Sequence, residues 1–170
     1  MKKSQVWIET VIYTLIGLAI IGMLLAIIKP QIEKEKDKLI IEQSLNMLNK
    51  IDSEIQEIIN YGAGNSRAIE VQIKKGKLII DSNENSVKFN MKSKYQYSQI
   101  GDEIEVGNVI VKTEKSGSDY DVLLKLSYSY VDITYKKEDE IKTYNPASTP
   151  HKIKITNQGE VGEMVNVDFG

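Results

Sequence analysis

The chain reads as an α+β protein. A long N-terminal helix, apolar all round in its first half and amphipathic in its second, precedes an antiparallel β-sandwich-like domain. Three observations predict this. Residues 10–28 carry no charge across 19 positions, about the length of apolar helix that a bilayer core requires. Apolar residues then recur at steps of three and four as far as Ile58, the period of an amphipathic helix. Beyond a glycine-rich break at Gly62 and Gly64 the period changes to two, as in half-buried strands.

The first segment has three readings: a cleaved secretory signal, a membrane anchor or a buried core helix. A core helix would carry polar residues on one face, and residues 10–28 carry few. A secretory signal would have a shorter apolar region ending in a small-x-small site, whereas this run ends Ala26-Ile27-Ile28-Lys29-Pro30. The length favours an anchor. Lys2 and Lys3 in front of the run place the N-terminus in the cytoplasm and the C-terminal domain outside, because basic flanks stay on the cytoplasmic side. Gly17 and Gly22 suit close helix packing in a membrane, but their spacing is not that of a GxxxG dimer motif.

Pro30 has no backbone donor for the Ala26 carbonyl, so a kink or a local melt is expected there. Ile41, Leu45, Leu48, Ile51, Ile55 and Ile58 then form a stripe on a helix ending near Tyr61, with Glu42, Asn46, Asn49, Asp52, Ser53 and Glu57 on the other face. A stripe shorter than four heptads is better suited to docking on a sheet of the same chain than to a coiled-coil seam. Gly62 is the residue type that ends helices.

Strands follow at 69–73, 77–81, 87–91, a short one at 95–97, then 103–113, 120–130, 133–135, 141–144 and 151–156. Gly107-Asn108 marks a bulge or a turn inside one of them, and Lys75-Gly76 a tight turn. No helical pattern separates the strands, so parallel pairing is not expected.

Composition narrows the chemistry. The chain has 170 residues, a net charge of −2, no cysteine and one histidine. That excludes a disulfide framework, cysteine-ligated metals and a histidine cluster, and gives no electrostatic case for nucleic acid. Asp102, Glu103 and Glu105, or Asp119 and Asp121, are candidate ligands for a hard cation, but their spacing matches no calcium loop, and they read better as solvated acids. His151 has no nucleophile motif beside it and reads as a surface residue. Tyr95, Tyr97, Tyr128, Tyr130, Tyr135 and Tyr144 alternate in a way that sheet packing explains. Lys74, Lys75 and Lys77 make a basic turn too small for nucleic acid. No metal, cofactor or catalytic constellation is expected, and the chain is not read as an enzyme.

One acid, Glu9, stands at the mouth of the apolar run. The segment Lys3-Ser4-Gln5-Val6-Trp7-Ile8-Glu9 resembles the processing site of type IV pilin-like proteins, in particular the archaeal class III signal peptide type. The resemblance covers about 25 residues including the apolar helix, and Ser4 stands where Gly or Ala is usual. It implies a basic leader at residues 1–4, cut between Ser4 and Gln5 by a prepilin peptidase, with Glu9 then fifth in the mature chain and acting in assembly. The implied organisation is a transmembrane or filament-core helix at 5–29, an amphipathic helix at 30–61 that docks on the β domain, and an extracytoplasmic antiparallel β domain at 62–170. The implied function is that of a structural subunit of an extracellular type IV-type filament. Its partners would be copies of itself or related pilin-like subunits, the prepilin peptidase, the assembly machinery and the membrane. The alternative is a single-pass, membrane-anchored β-domain binding module that serves a filament or contacts the envelope.

Overall fold

A computed structural model describes residues 2–170, with side chains from Trp7 onward. One helix, α1 (Lys2–Tyr61), precedes ten strands: β1 (Ser66–Val71), β2 (Lys77–Asp81), β3 (Ser86–Ser93), β4 (Glu103–Val106), β5 (Val109–Ser116), β6 (Asp119–Ser127), β7 (Val131–Tyr135), β8 (Ile141–Tyr144), β9 (His151–Val161) and β10 (Met164–Phe169). The fold is α+β. The chain divides into two units, Met1–Lys36 and Asp37–Gly170.

The first unit is helical from Lys2. Pro30 lies inside this helix, and the helical assignment passes through it without a break. Losing one donor to the Ala26 carbonyl therefore does not melt the backbone locally, since the bonds on either side hold it.

The second unit has one continuous core, drawn from α1 and both sheets. Ile41, Leu48, Ile51, Ile55 and Ile58 are fully buried, and Leu45 is 5 % exposed. The six-stranded sheet has the order β4-β5-β6-β3-β2-β8 and is antiparallel throughout. The four-stranded sheet has the order β1-β9-β10-β7. Its β1–β9 and β9–β10 pairs are antiparallel, whereas β10 lies parallel to β7.

Three features depart from the sequence expectations. The stretch 103–113 is a hairpin, β4–β5, in which Gly107 turns the chain with a φ of 65°. Tyr95 and Tyr97 lie in a loop, their rings edge to face at 6.4 Å. The Ser93 hydroxyl donates to the Tyr95 carbonyl and accepts from the Tyr95 amide, which turns the chain out of the ladder. Strand β10 and the parallel pair were not anticipated. Asn166 and Asp168 alternate with Val165, Val167 and Phe169, so β10 looks half solvated in sequence. Both polar residues are in fact buried. Asp168 accepts from the Thr134 hydroxyl at 3.1 Å and the Lys137 amide at 2.6 Å, and the Asn166 amide donates to Asp132 at 2.8 Å.

The end of α1 is capped by its own chain. Gly62 has a φ of 85°, and the Asn65 amide donates to the carbonyls of Tyr61 and Gly62. Asn157 of β9, 3 % exposed, donates to the Ile58 carbonyl at 3.1 Å, which ties the last turn of the helix to the four-stranded sheet.

Gly76, between β1 and β2, has a φ of 83°, and a Cβ there would lie 2.6 Å from the Asn90 carbonyl oxygen and 2.7 Å from the Met91 Cβ. The left-handed backbone alone costs a side chain roughly 1–2 kcal/mol. Gly76→Ala should therefore lower the thermal midpoint of the β domain by several degrees. An unchanged melting curve would show that this turn relaxes freely.

In the turn between β2 and β3, Glu84 accepts from Lys125 at 2.8 Å and pairs with Lys88 at 2.9 Å. The hydrogen bond from Lys125, and then that from Lys88, hold its carboxyl down at about 2, below the ordinary 4.5. Burial works to lower the Lys88 pKa, but Asp81 at 2.7 Å and Glu84 outweigh it and raise the net value. A carboxyl with a depressed folded pKa stabilises the fold fully above its unfolded value and loses that contribution as pH falls through the folded one. Wild type and Glu84→Gln should thus differ most above pH 4.5 and converge between 4.5 and about 2. Melting curves across that range check it, and a gap that widens on acidification would contradict the assignment.

Candidate functional site

The feature of the first unit is its apolar surface. Among the described residues one helix, near the N-terminus, is long and apolar enough to span a membrane, and no residue of its most apolar window is buried. Within 10–28 every residue is exposed except Gly17, which is half-buried. The only side-chain polar groups in that run are on Thr10, Tyr13 and Thr14. The Thr14 hydroxyl donates to the Thr10 carbonyl at 2.8 Å, so it adds no unsatisfied donor to the helix surface. Trp7 is 78 % exposed, and Glu9 is exposed beside it. The side chains of Ser4 and Gln5, the two residues at the expected cleavage point, lie outside the described residues.

The second unit carries a cavity of about 340 Å³ lined by Asp52, Glu105, Asn108, Tyr128 and Tyr130 among others. Asp52 was expected on the polar face of the helix, but it is only 8 % exposed. It follows Leu48 by four residues and precedes Ile55 by three, so it falls inside the apolar stripe. Its carboxylate accepts from the Tyr128 hydroxyl at 2.9 Å and from the Asn108 amide at 2.7 Å. Burial, and then the charge of Asp52, push the Tyr128 phenol well above its ordinary pKa. Gln56 donates to the Tyr130 hydroxyl, and the rings of Tyr128 and Tyr130 meet edge to face at 6.2 Å.

Asp37 is a second buried acid, 4 % exposed, that sequence reasoning passed over. It accepts from the Lys94 backbone amide at 2.7 Å and pairs with the Lys75 ammonium. The signal was its place four residues before Ile41, on the line of the stripe.

The other candidate residues are dispersed. Asp102, Glu103 and Glu105 are exposed at β4. Asp119 pairs with Lys94, whose hydrogen bond holds its carboxyl below the usual range. Among the described residues no group of three or more His, Asp or Glu comes together as a metal site. His151 stacks edge-on against Tyr144 at 5.3 Å and contacts the Asn145 carbonyl at 2.8 Å. Burial pushes the Tyr144 phenol up to about 12. Tyr128, Tyr135 and Tyr144 are buried, whereas Tyr130 is 46 % exposed at the cavity.

Comparison of the chain with protein-family models, with curated proteins and with solved structures finds no match.

Proposed function

We propose that the chain is a pilin-like structural subunit of an extracellular type IV-type filament, assembled through its N-terminal apolar helix. The observation that carries this reading is the surface of residues 10–28, apolar on every side and exposed along its length. Such a helix is stable only in lipid or among other helices. The resemblance at Lys3-Ser4-Gln5-Val6-Trp7-Ile8-Glu9 adds the route between the two: insertion with the N-terminus in the cytoplasm, cleavage after Ser4, and transfer of the helix from the bilayer into a bundle. The partners are further copies of this or a related subunit, a prepilin peptidase and the assembly machinery. Repeated addition of one subunit to the next is a heterologous contact that produces an open helical polymer.

A second reading keeps the helix in the membrane and assigns the work to the β domain as an anchored binding module. Its support is that the second unit has its own core and a cavity.

Two measurements test the proposal. The intact mass of protein from its native host should lack residues 1–4, with Gln5 open or cyclised. A chain that retains Met1, or that begins beyond Ile28, rules the pilin reading out. Shearing of cells should release the protein with extended fibres. Retention of all of it in the membrane fraction selects the anchored module.

A further inference from the structure

The cavity bounded by Asp52, Glu105, Asn108, Tyr128 and Tyr130 plays no part in the assembly proposed for the helix, and its lining explains what it would hold. We infer that it binds a small organic ammonium ion.

Charge comes first. Two carboxylates, Asp52 and Glu105, line the cavity, and among the described residues no lysine, arginine or histidine does. Asp52 is nearly buried, yet its hydrogen-bond partners there, the Tyr128 hydroxyl and the Asn108 amide, are neutral. Neutral donors satisfy lone pairs but leave the charge in place. A carboxylate accepts about four hydrogen bonds, so Asp52 retains acceptor capacity on both oxygens. Burial, and then the negative charge of Asp52, raise the pKa of Tyr128.

Shape and surface select the kind of cation. A hard metal ion takes about six to eight oxygens, and among the described residues no trio of acids converges. The lining instead offers the tyrosine pair, with ring planes 87° apart, and the apolar side chains of Ile110 and Leu126. Ring faces attract ammonium groups, and the aliphatic side chains cover the methylenes attached to one. A volume of about 340 Å³ stands at the small end of ligand pockets, about 300–1,000 Å³. The same ammonium chemistry is presented by a free alkylamine and by a lysine side chain of a partner protein.

The test is calorimetric titration of the full-length protein in non-ionic detergent with n-butylamine, Nα-acetyl-lysine methylamide, n-butanol and calcium chloride. The expected result is saturable binding of an amine, none of butanol or calcium, and weakening by added salt. Binding of the lysine amide alone identifies a protein side chain as the natural occupant, and binding of butylamine identifies a free amine. Glu105→Gln alters an exposed side chain, keeps the fold, and should weaken amine binding about fivefold. Tyr130→Ala should weaken it further. Equal affinity for butanol, preference for calcium, no binding of either amine, or amine binding unchanged by Glu105→Gln would each overturn the inference.

Discussion

A chain that starts at Asp37 is soluble, monomeric and melts cooperatively, whereas one that starts at Gly62 does not fold. The first truncation removes the exposed apolar unit and leaves the second unit intact. The second also removes Ile41, Leu45, Leu48, Ile51, Ile55 and Ile58, all 5 % exposed or less. Each such side chain contributes about 1.5–3 kcal/mol by burial, so their joint loss, about 9–18 kcal/mol as an upper estimate, matches or exceeds the entire stability of an ordinary domain, about 5–15 kcal/mol. It also removes Asp52 and Asp37, leaving Tyr128, Asn108 and Lys75 without these acceptors. Size-exclusion chromatography and thermal melts followed by circular dichroism decide it. Equal midpoints for the two truncations would mean that the stripe stabilises something outside this chain.

Glu9→Ala leaves expression, processing and the β domain intact and abolishes incorporation into filaments. This expectation rests on the proposed assembly. A carboxylate entering a desolvated bundle needs a positive partner, and cleavage before Gln5 creates one in the new α-amino group. Within one helix that amine and Glu9 are four residues, about 6 Å, apart along the axis. A neighbouring subunit displaced by about one turn brings its amine to the carboxylate instead. Charge attraction strengthens as water leaves, so the pair would fix the axial step between subunits. Cyclised Gln5 would leave Glu9 to backbone donors. Electron microscopy of sheared fractions, with immunoblots of membranes, reads the result. Normal fibres from the variant refute the role, and loss of membrane insertion points to topology.

The helix and its stripe were legible because both rest on a strong period. All six residues of the stripe are buried, and Asp37, Ser44 and Asp52 are buried beside them. Gly76 marked a turn, but the strands on either side of it do not return on one another, since β1 and β2 lie in different sheets, and Gly107 admitted a bulge or a turn that only the β4–β5 register distinguishes. Strand β10 was hidden by Asn166 and Asp168, because a buried polar residue with a distant partner reads as a solvated one. The cavity was hidden for the same reason. Asp52 and Asn108 are 56 residues apart in sequence, and Asp52 and Tyr128 are 76 apart. Nothing local in the sequence announces that they meet.

The pairing of β1 with β9 joins Ser66 to Thr156, across about 90 residues of chain. That separation bears on timing. The amphipathic stretch of α1 and β1 emerge from synthesis long before β9 and β10 exist to complete their sheet, and loops of this length close slowly because their entropy is lost before any contact repays it. For that interval the stripe from Ile41 to Ile58 lacks part of its cover, the four-stranded sheet being incomplete, and the free edge of β1 is open to strangers. The β domain therefore matures only after nearly all of it has been synthesised, on the millisecond-to-second scale of non-local sheets.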